Sequence, residues 1–167
     1  MNPFDAIPPI AARLEGCDHA DVQTAETDRE DLSLESFTAG MFGARPKWIT
    51  ALFAVRGVLA RLVGLDHPKA GERDTVPTEF EPGGKVAFFT SEAYAPGEYW
   101  LGGMEDSHLS AWVAVAHEPR PGGGRRFHVL TIVHHNNRLG PVYFALIKPF
   151  HVLIVRAMAR RGARSVS

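Results

Sequence analysis

The second half of the chain changes its hydrophobic period once. Residues 107–117, "SHLSAWVAVAH", and residues 126–136, "RFHVLTIVHHN", alternate with a period of two. Residues 141–160 instead repeat apolar side chains at spacings of three and four. The first pattern predicts strands, the second a helix with one face on a core. Alternation also separates the two faces of the strands. Leu109, Ala111, Val113 and Val115 share one side of the first strand; Phe127, Val129, Thr131, Val133 and His135 share one side of the second. The opposite sides carry His108, Ser110, Trp112, Ala114 and Ala116, and Arg126, His128, Leu130, Ile132 and His134. The odd-numbered sets are the more uniformly apolar, so they are expected to face the helix.

Further strands are expected in "HADVQTAET" (19–27), "KVAFFTSE" (85–92) and "EYWLGG" (98–103). Their connections hold Pro96-Gly97, Glu105-Asp106, "EPRPGGGR" and Asn136-Asn137, the chemistry of short antiparallel hairpins. Two helices are expected after the first strand. "DLSLESFTAGMF" starts at Asp31 or Ser33 and stops at Gly43. "RPKWITALFAVRGVLARLVGL" has Pro46 in its first turn, a stripe of Trp48, Leu52, Val55, Leu59 and Leu62, and Gly64 to close it. Residues 66–83 read as a loop. The last helix opens at Gly140-Pro141 and carries Tyr143, Ile147, Phe150 or His151, Ile154 and Met158 at helical spacing. The class is α+β: an antiparallel sheet covers one face with a long C-terminal helix. Pro3, Pro8 and Pro9 make residues 1–17 an irregular lead-in; residues 18–161 form one domain, and 162–167 a tail.

At 167 residues and 45% apolar composition the chain suits a single packed domain. Its net charge of −1 gives no global attraction to nucleic acid or anionic lipid. The charge is uneven, however. Residues 1–36 hold nine acids against Arg13 and Arg29, and residues 120–167 hold nine bases and no acid. Either the bases form a face for an anionic partner, or the two ends meet and neutralise. Cys17 is the only cysteine, which excludes an internal disulfide and fits a reducing compartment. The N-terminus lacks the basic and apolar regions of a signal peptide, and no apolar run reads as a membrane span. These features point to a cytoplasmic protein.

The candidate chemistry is sparse. His134 and His135 are neighbours on a strand and point to opposite faces, so they cannot readily share a metal. No HExxH or CxxC spacing is present, and no metal or cofactor is expected. "PGGGRR" is a turn between strands rather than a dinucleotide fingerprint. Pro149 is the unusual residue, because its ring and missing N–H disturb the helix where it should pack. A bend there would hold the helix off the sheet and leave a space. Such a cavity would be lined by Val113, Thr131, Val133, His135, Tyr143, Ile147 and His151, with Thr131, His135, Tyr143 and His151 as polar anchors; apolar walls with few polar groups are what small-molecule sites have.

"TIVHHNNRLGPVYFALIKPFHVLIVRAM", with "SHLSAWVAV" and "WITALFAVRGVLARLVGL" before it, resembles an uncharacterised, DUF-type family of small bacterial proteins. That family is similar to a compact branch of the START-like superfamily, also called SRPBCC or polyketide-cyclase-like. The resemblance spans residues 18–161. It implies a helix-grip fold, a curved sheet wrapped around the C-terminal helix with a cavity between them. It transfers no catalytic residue.

Three functions stay open. The leading one is a binding protein for a small apolar or amphipathic molecule. A cyclase or isomerase would use His135 or His151 as acid–base, with Tyr143 on a substrate oxygen; it needs two titratable groups converging in the cavity. A protein-interaction module would fill the cavity with its own side chains and present Arg156, Arg160, Arg161 and Arg164. No nucleic-acid motif accompanies these bases.

Overall fold

A computed structural model describes residues 3–43 and 77–165, and four helical positions, Ala54, Gly57, Val58 and Arg61, within the second expected helix. The rest of that helix and most of the loop expected after it lie outside the described residues.

The described elements are α1 (Pro8–Leu14), β1 (His19–Thr27), α2 (Leu34–Phe42), β2 (Lys85–Val86), β3 (Phe89–Ala95), β4 (Tyr99–Glu105), β5 (Leu109–Pro119), β6 (Arg125–His135) and α3 (Leu139–Gly162). The strands form one antiparallel sheet in the order β1-β6-β5-β4-β3-β2. Strands β2 to β6 run as a meander, and β1 returns to the far edge, pairing His19 with Val133 and Thr27 with Arg125. The fold is α+β, a helix-grip arrangement with α3 packed along the sheet.

The expected parity holds. Val113, Val115, Phe127 and Val129 belong to one buried cluster with α2 and the end of α3. Leu109 and Val133 pack with Tyr143, Phe144 and Ile147 near the start of α3. Helix α2 begins at Ser33, whose side chain accepts from the Ser36 N–H at 3.0 Å. Its Phe37 ring lies parallel to Phe127 with centroids 4.0 Å apart. The connection from β6 to α3 is a tight corner. Asn137 Oδ1 accepts from the N–H groups of Leu139 and Gly140, and a Cβ on Gly140 would stand 2.7 Å from the His108 carbonyl oxygen.

The opposite sheet face brings the main correction. Residues 8–14 are helical, not part of an irregular lead-in, because Pro8 and Pro9 occupy the first turn, where their missing N–H groups cost nothing. Helix α1 and Phe4 cover Trp112, Ala114, Ala116, Leu130 and Ile132. Arg13 lies over the Trp112 ring at 4.7 Å and pairs with Glu92 at 2.9 Å, while Trp112 Nε1 donates to Glu92. His134 is on this face as expected, and there its Nε2 meets the Arg13 carbonyl at 2.8 Å.

A second difference lies in "KVAFFTSE". It is two strands, not one, split by a two-residue turn at Ala87-Phe88 in which Ala87 has a φ of 56°. A third concerns α3, whose 24 residues are long and apolar enough to cross a membrane by length and composition alone. Lys148 and His151 interrupt its apolar runs, but the mean hydropathy stays at 1.5 over its most apolar stretch. In the fold it packs on the sheet and α2.

The uneven charge is partly neutralised within the chain. Arg120 pairs with Asp28 at 2.8 Å and Arg126 with Glu26 at 2.8 Å, joining the β5–β6 turn to β1. Ser165, in the expected tail, donates from Oγ to the Ser36 carbonyl, and its own carbonyl accepts from Arg29.

Glu35, in the first turn of α2, links that helix to the β3–β4 turn. It accepts from the Tyr94 hydroxyl at 2.8 Å and from the Gly97 N–H at 3.0 Å. Burial works against the carboxylate, but these bonds outweigh it and hold Glu35 below its ordinary pKa. Burial and the bond to Glu35 push the Tyr94 phenol up to about 12. An unfolded phenol ionises near pH ~10. On the alkaline side the stabilisation from this contact is therefore present up to that pH and is lost as the pH rises through the folded value, while on the acid side it is lost as Glu35 protonates. A phenolate absorbance titration should show a late step at about pH 12 that Tyr94→Phe removes. A titration unchanged by that substitution would contradict the assignment.

Candidate functional site

Between the odd-numbered sheet face and α3 lies a cavity of about 120 Å³. Its sheet wall is Leu109, Ala111, Val113, Val129, Thr131 and Val133, and its helix wall runs from Phe144 through Ile147 and His151 to Val155 and Met158. Met41 and Phe42 of α2 also line it. Burial along α3 is interrupted where the helix borders this space. The buried positions of α3 are Gly140, Tyr143, Phe144 and Ile147, then Val155, Ala159 and Gly162. The interval between Ile147 and Val155 contains Pro149 and stands over the cavity, while the helix itself continues through the proline.

Among the described residues the lining is apolar except for Thr131 and His151. Thr131 is on the buried sheet face, and its Oγ1 stands 3.4 Å from His151 Nε2. A hydroxyl and an imidazole side by side can donate to or accept from one polar end of a guest. The apolar walls favour the remainder of that guest.

Five of the seven residues expected at the cavity line it: Val113, Thr131, Val133, Ile147 and His151. His135 and Tyr143 do not. His135 ends β6 at the tight corner, where its backbone N–H donates to Asp18 at 2.6 Å and its Nδ1 stands 3.6 Å from the same carboxylate. Phe144, whose ring lies 5.9 Å from that of His135, occupies the wall instead. Tyr143 is completely buried one turn from the helix start, edge-on to His108 with centroids 4.7 Å apart. There it packs with Leu109 and Val133. Of the four expected polar anchors, Thr131 and His151 line the cavity. His19, at the start of β1, lies 4.9 Å from the Phe144 ring, and burial followed by the charge of Lys148 lowers its pKa.

Residues outside the expectation complete the site. Met41, Met104 and Met158 all line it, which accounts for every methionine after the first residue. Methionine is the flexible, polarisable filler of irregular apolar surfaces, so the placement of these three was a usable signal. Phe88 and Phe89 also line it, brought there by the turn that splits the expected strand. Ala87 holds a left-handed conformation that costs an alanine about 1–2 kcal/mol, and its N–H donates to the Pro77 carbonyl at 2.8 Å. Phe88 and Phe150 are walls of the cavity and are also exposed to solvent, so they mark its mouth. Among the described residues no three His, Cys, Asp or Glu side chains gather as metal ligands.

A family model described as "Protein of unknown function (DUF2867)" matches residues 13–158. None of the curated proteins matches the chain. Among solved structures, the chain is similar to the crystal structure of Ara h 8.0201, with 10% identity, a TM-score of 0.41, and coverage of 88% of this chain and 99% of that one. It is also similar to an uncharacterized protein from Rhizobium leguminosarum, with 14% identity, a TM-score of 0.36, and coverage of 86% and 97%.

Proposed function

Since the chain belongs to the DUF2867 family, whose description assigns no function, we propose from its cavity that it binds a small apolar or amphipathic molecule, as a START-like carrier would. The observation that carries this reading is the lining: apolar walls with one polar pair, Thr131 and His151, set between sheet and helix. The volume limits the guest. About 120 Å³ is close to the ~150 Å³ engineered cavity that takes up benzene, and below the ~300–1,000 Å³ of drug-sized sites. A single ring or a short branched chain fits. A longer guest leaves its remainder at the mouth, between Phe88 and Phe150.

A cyclase or isomerase is the weaker reading. Among the described lining residues His151 is the only titratable one, so the proton transfers of such an enzyme have one group where two are needed. The polar pair makes the carrier reading testable. Wild type should bind an aromatic fluorescent probe bearing a carboxylate with roughly micromolar affinity. His151→Phe or Thr131→Val should weaken it about fivefold to tenfold, the loss of one hydrogen bond. A probe of the same ring system without the carboxylate should bind all three proteins alike. Absence of binding to wild type by either probe would sink the carrier reading.

A further inference from the structure

The outer face of α3 is apolar where a solvated helix face is ordinarily polar. Leu139, Val142, Leu146, Phe150 and Leu153 are all exposed, with Val142 at 54% and Leu153 at 57%. Their spacing of three and four residues keeps them within about 80° of one another around the helix, in a stripe roughly 20 Å long. The same line continues through Ala157 to Arg160 and Arg164, with Arg156 and Arg161 beside it. Helix α3 contains no acid, and none of Arg138, Arg156, Arg160, Arg161 and Arg164 has an ion-pair partner among the described residues. The neutralising pairs described above belong to the β5–β6 turn and leave this helix untouched.

We propose that this face docks on the surface of a bilayer containing anionic phospholipids. An amphipathic helix binds an interface by sinking an apolar strip below the headgroups while basic side chains meet the negative lipids. Here the strip occupies the first two-thirds of the helix and the arginines the last third. Arginine stems lie along an apolar surface and keep their charge among phosphates. A second copy of the chain fits less well. Antiparallel pairing would set Arg160 and Arg164 against the partner's aliphatic stripe, and parallel pairing would set arginine against arginine, with no acid on the helix to relieve either. The net charge of the whole chain conceals the site, because the attraction is local.

The mouth of the cavity adjoins the stripe. Phe150 belongs to both, and Phe88 is exposed on the other side of the opening. Docking would place that opening at the lipid surface, a route by which an apolar guest enters without crossing water. The docking rests on the outer helix face; its use for loading rests on the carrier reading.

Flotation of the full chain with vesicles tests it. Wild type should float with phosphatidylcholine vesicles containing phosphatidylglycerol, float much less with phosphatidylcholine alone, and detach as salt screens the arginines. Leu146→Glu with Leu153→Glu should reduce flotation about tenfold or more, since two charges then enter the apolar layer. Arg160→Gln with Arg164→Gln should remove the preference for anionic vesicles. The Leu146→Ser, Leu153→Ser protein is the milder pair if the glutamates disturb folding, as circular dichroism would show. Failure of wild type to float with anionic vesicles overturns the proposal, whatever the variants do. Dimerisation of wild type that the stripe variants abolish, without flotation, assigns the face to a second copy and also overturns it. Probe binding in vesicle-free solution separates the two readings. The stripe variants should keep it, and its absence in a wild type that still floats would remove the carrier reading alone.

Discussion

Phe127→Ala should lower the unfolding free energy by about 3–5 kcal/mol, a large share of what a domain of this size has. Phe127 has no solvent exposure and sits in β6, where its ring stacks flat on Phe37 of α2 and tilts against His117 of β5. Truncation removes a whole ring from water-free packing and leaves a hole that its neighbours fill only in part. It also removes the ring on which Phe37 of α2 stacks. Collapse is opposed from the other side, because a Cβ on Gly162 would already stand 2.6 Å from the Phe37 carbonyl oxygen, so α2 and α3 are in backbone contact. Urea titrations measure the effect. Phe88→Ala, at an exposed position on the mouth, serves as the comparison and should cost less than about 1 kcal/mol. Equal midpoints for the two variants would show that the Phe37–Phe127 stack does not hold α2.

Ile147→Trp should abolish probe binding while leaving a folded protein. Ile147 is nearly buried on α3, one turn before His151 and one after Tyr143, and it borders the cavity. An indole at this position has one direction in which to extend, across a space of about 120 Å³ that it would largely occupy. Overpacking costs about 1–3 kcal/mol where a core is full; the existing space reduces that here. Leu153→Trp adds the same ring on the outer face and should leave probe affinity unchanged. Loss of binding in both variants would indicate general damage rather than a filled site. Full affinity in Ile147→Trp would place the probe elsewhere.

The sheet parity, the C-terminal helix and its corner were legible because they rest on strict periods: two along β5 and β6, three and four along α3. The first strand alternates only weakly, with polar residues on both faces, and was legible with less force. The second face of the sheet was not. Ala114, Leu130 and Ile132 read as the weaker of two faces, and nothing local shows that a seven-residue helix behind two prolines covers them. A proline at the start of a helix and a proline in an irregular segment look alike until the following residues find a surface. The split at Ala87 was hidden because a left-handed alanine has no sequence signature, unlike glycine. The cavity was legible at the positions that alternate inward and illegible at its ends. His135 and Tyr143 share the inward faces of their elements, but they lie at the corner where strand and helix converge, and there the interior is filled. The outer stripe of α3 escaped notice because an almost uniformly apolar helix offers several overlapping stripes, and only burial distinguishes them.

The return of β1 to the edge beside β6 also sets how the chain reaches this fold. Strands β3 to β6 pair with their sequence neighbours, so each hairpin closes a short loop at small entropic cost. The pairing of His19 with Val133 instead spans most of the chain. Folding rates fall as such long-range contacts dominate. The expected order is meander first and N-terminal strand last, so substitutions in β1 such as Ala25→Gly should accelerate unfolding and leave the refolding rate nearly unchanged. A stopped-flow chevron with the opposite pattern would make β1 part of the nucleus. With the expected pattern, the nascent sheet spends its early life with an open edge at β6, the stage at which the chain is most exposed to pairing with its neighbours.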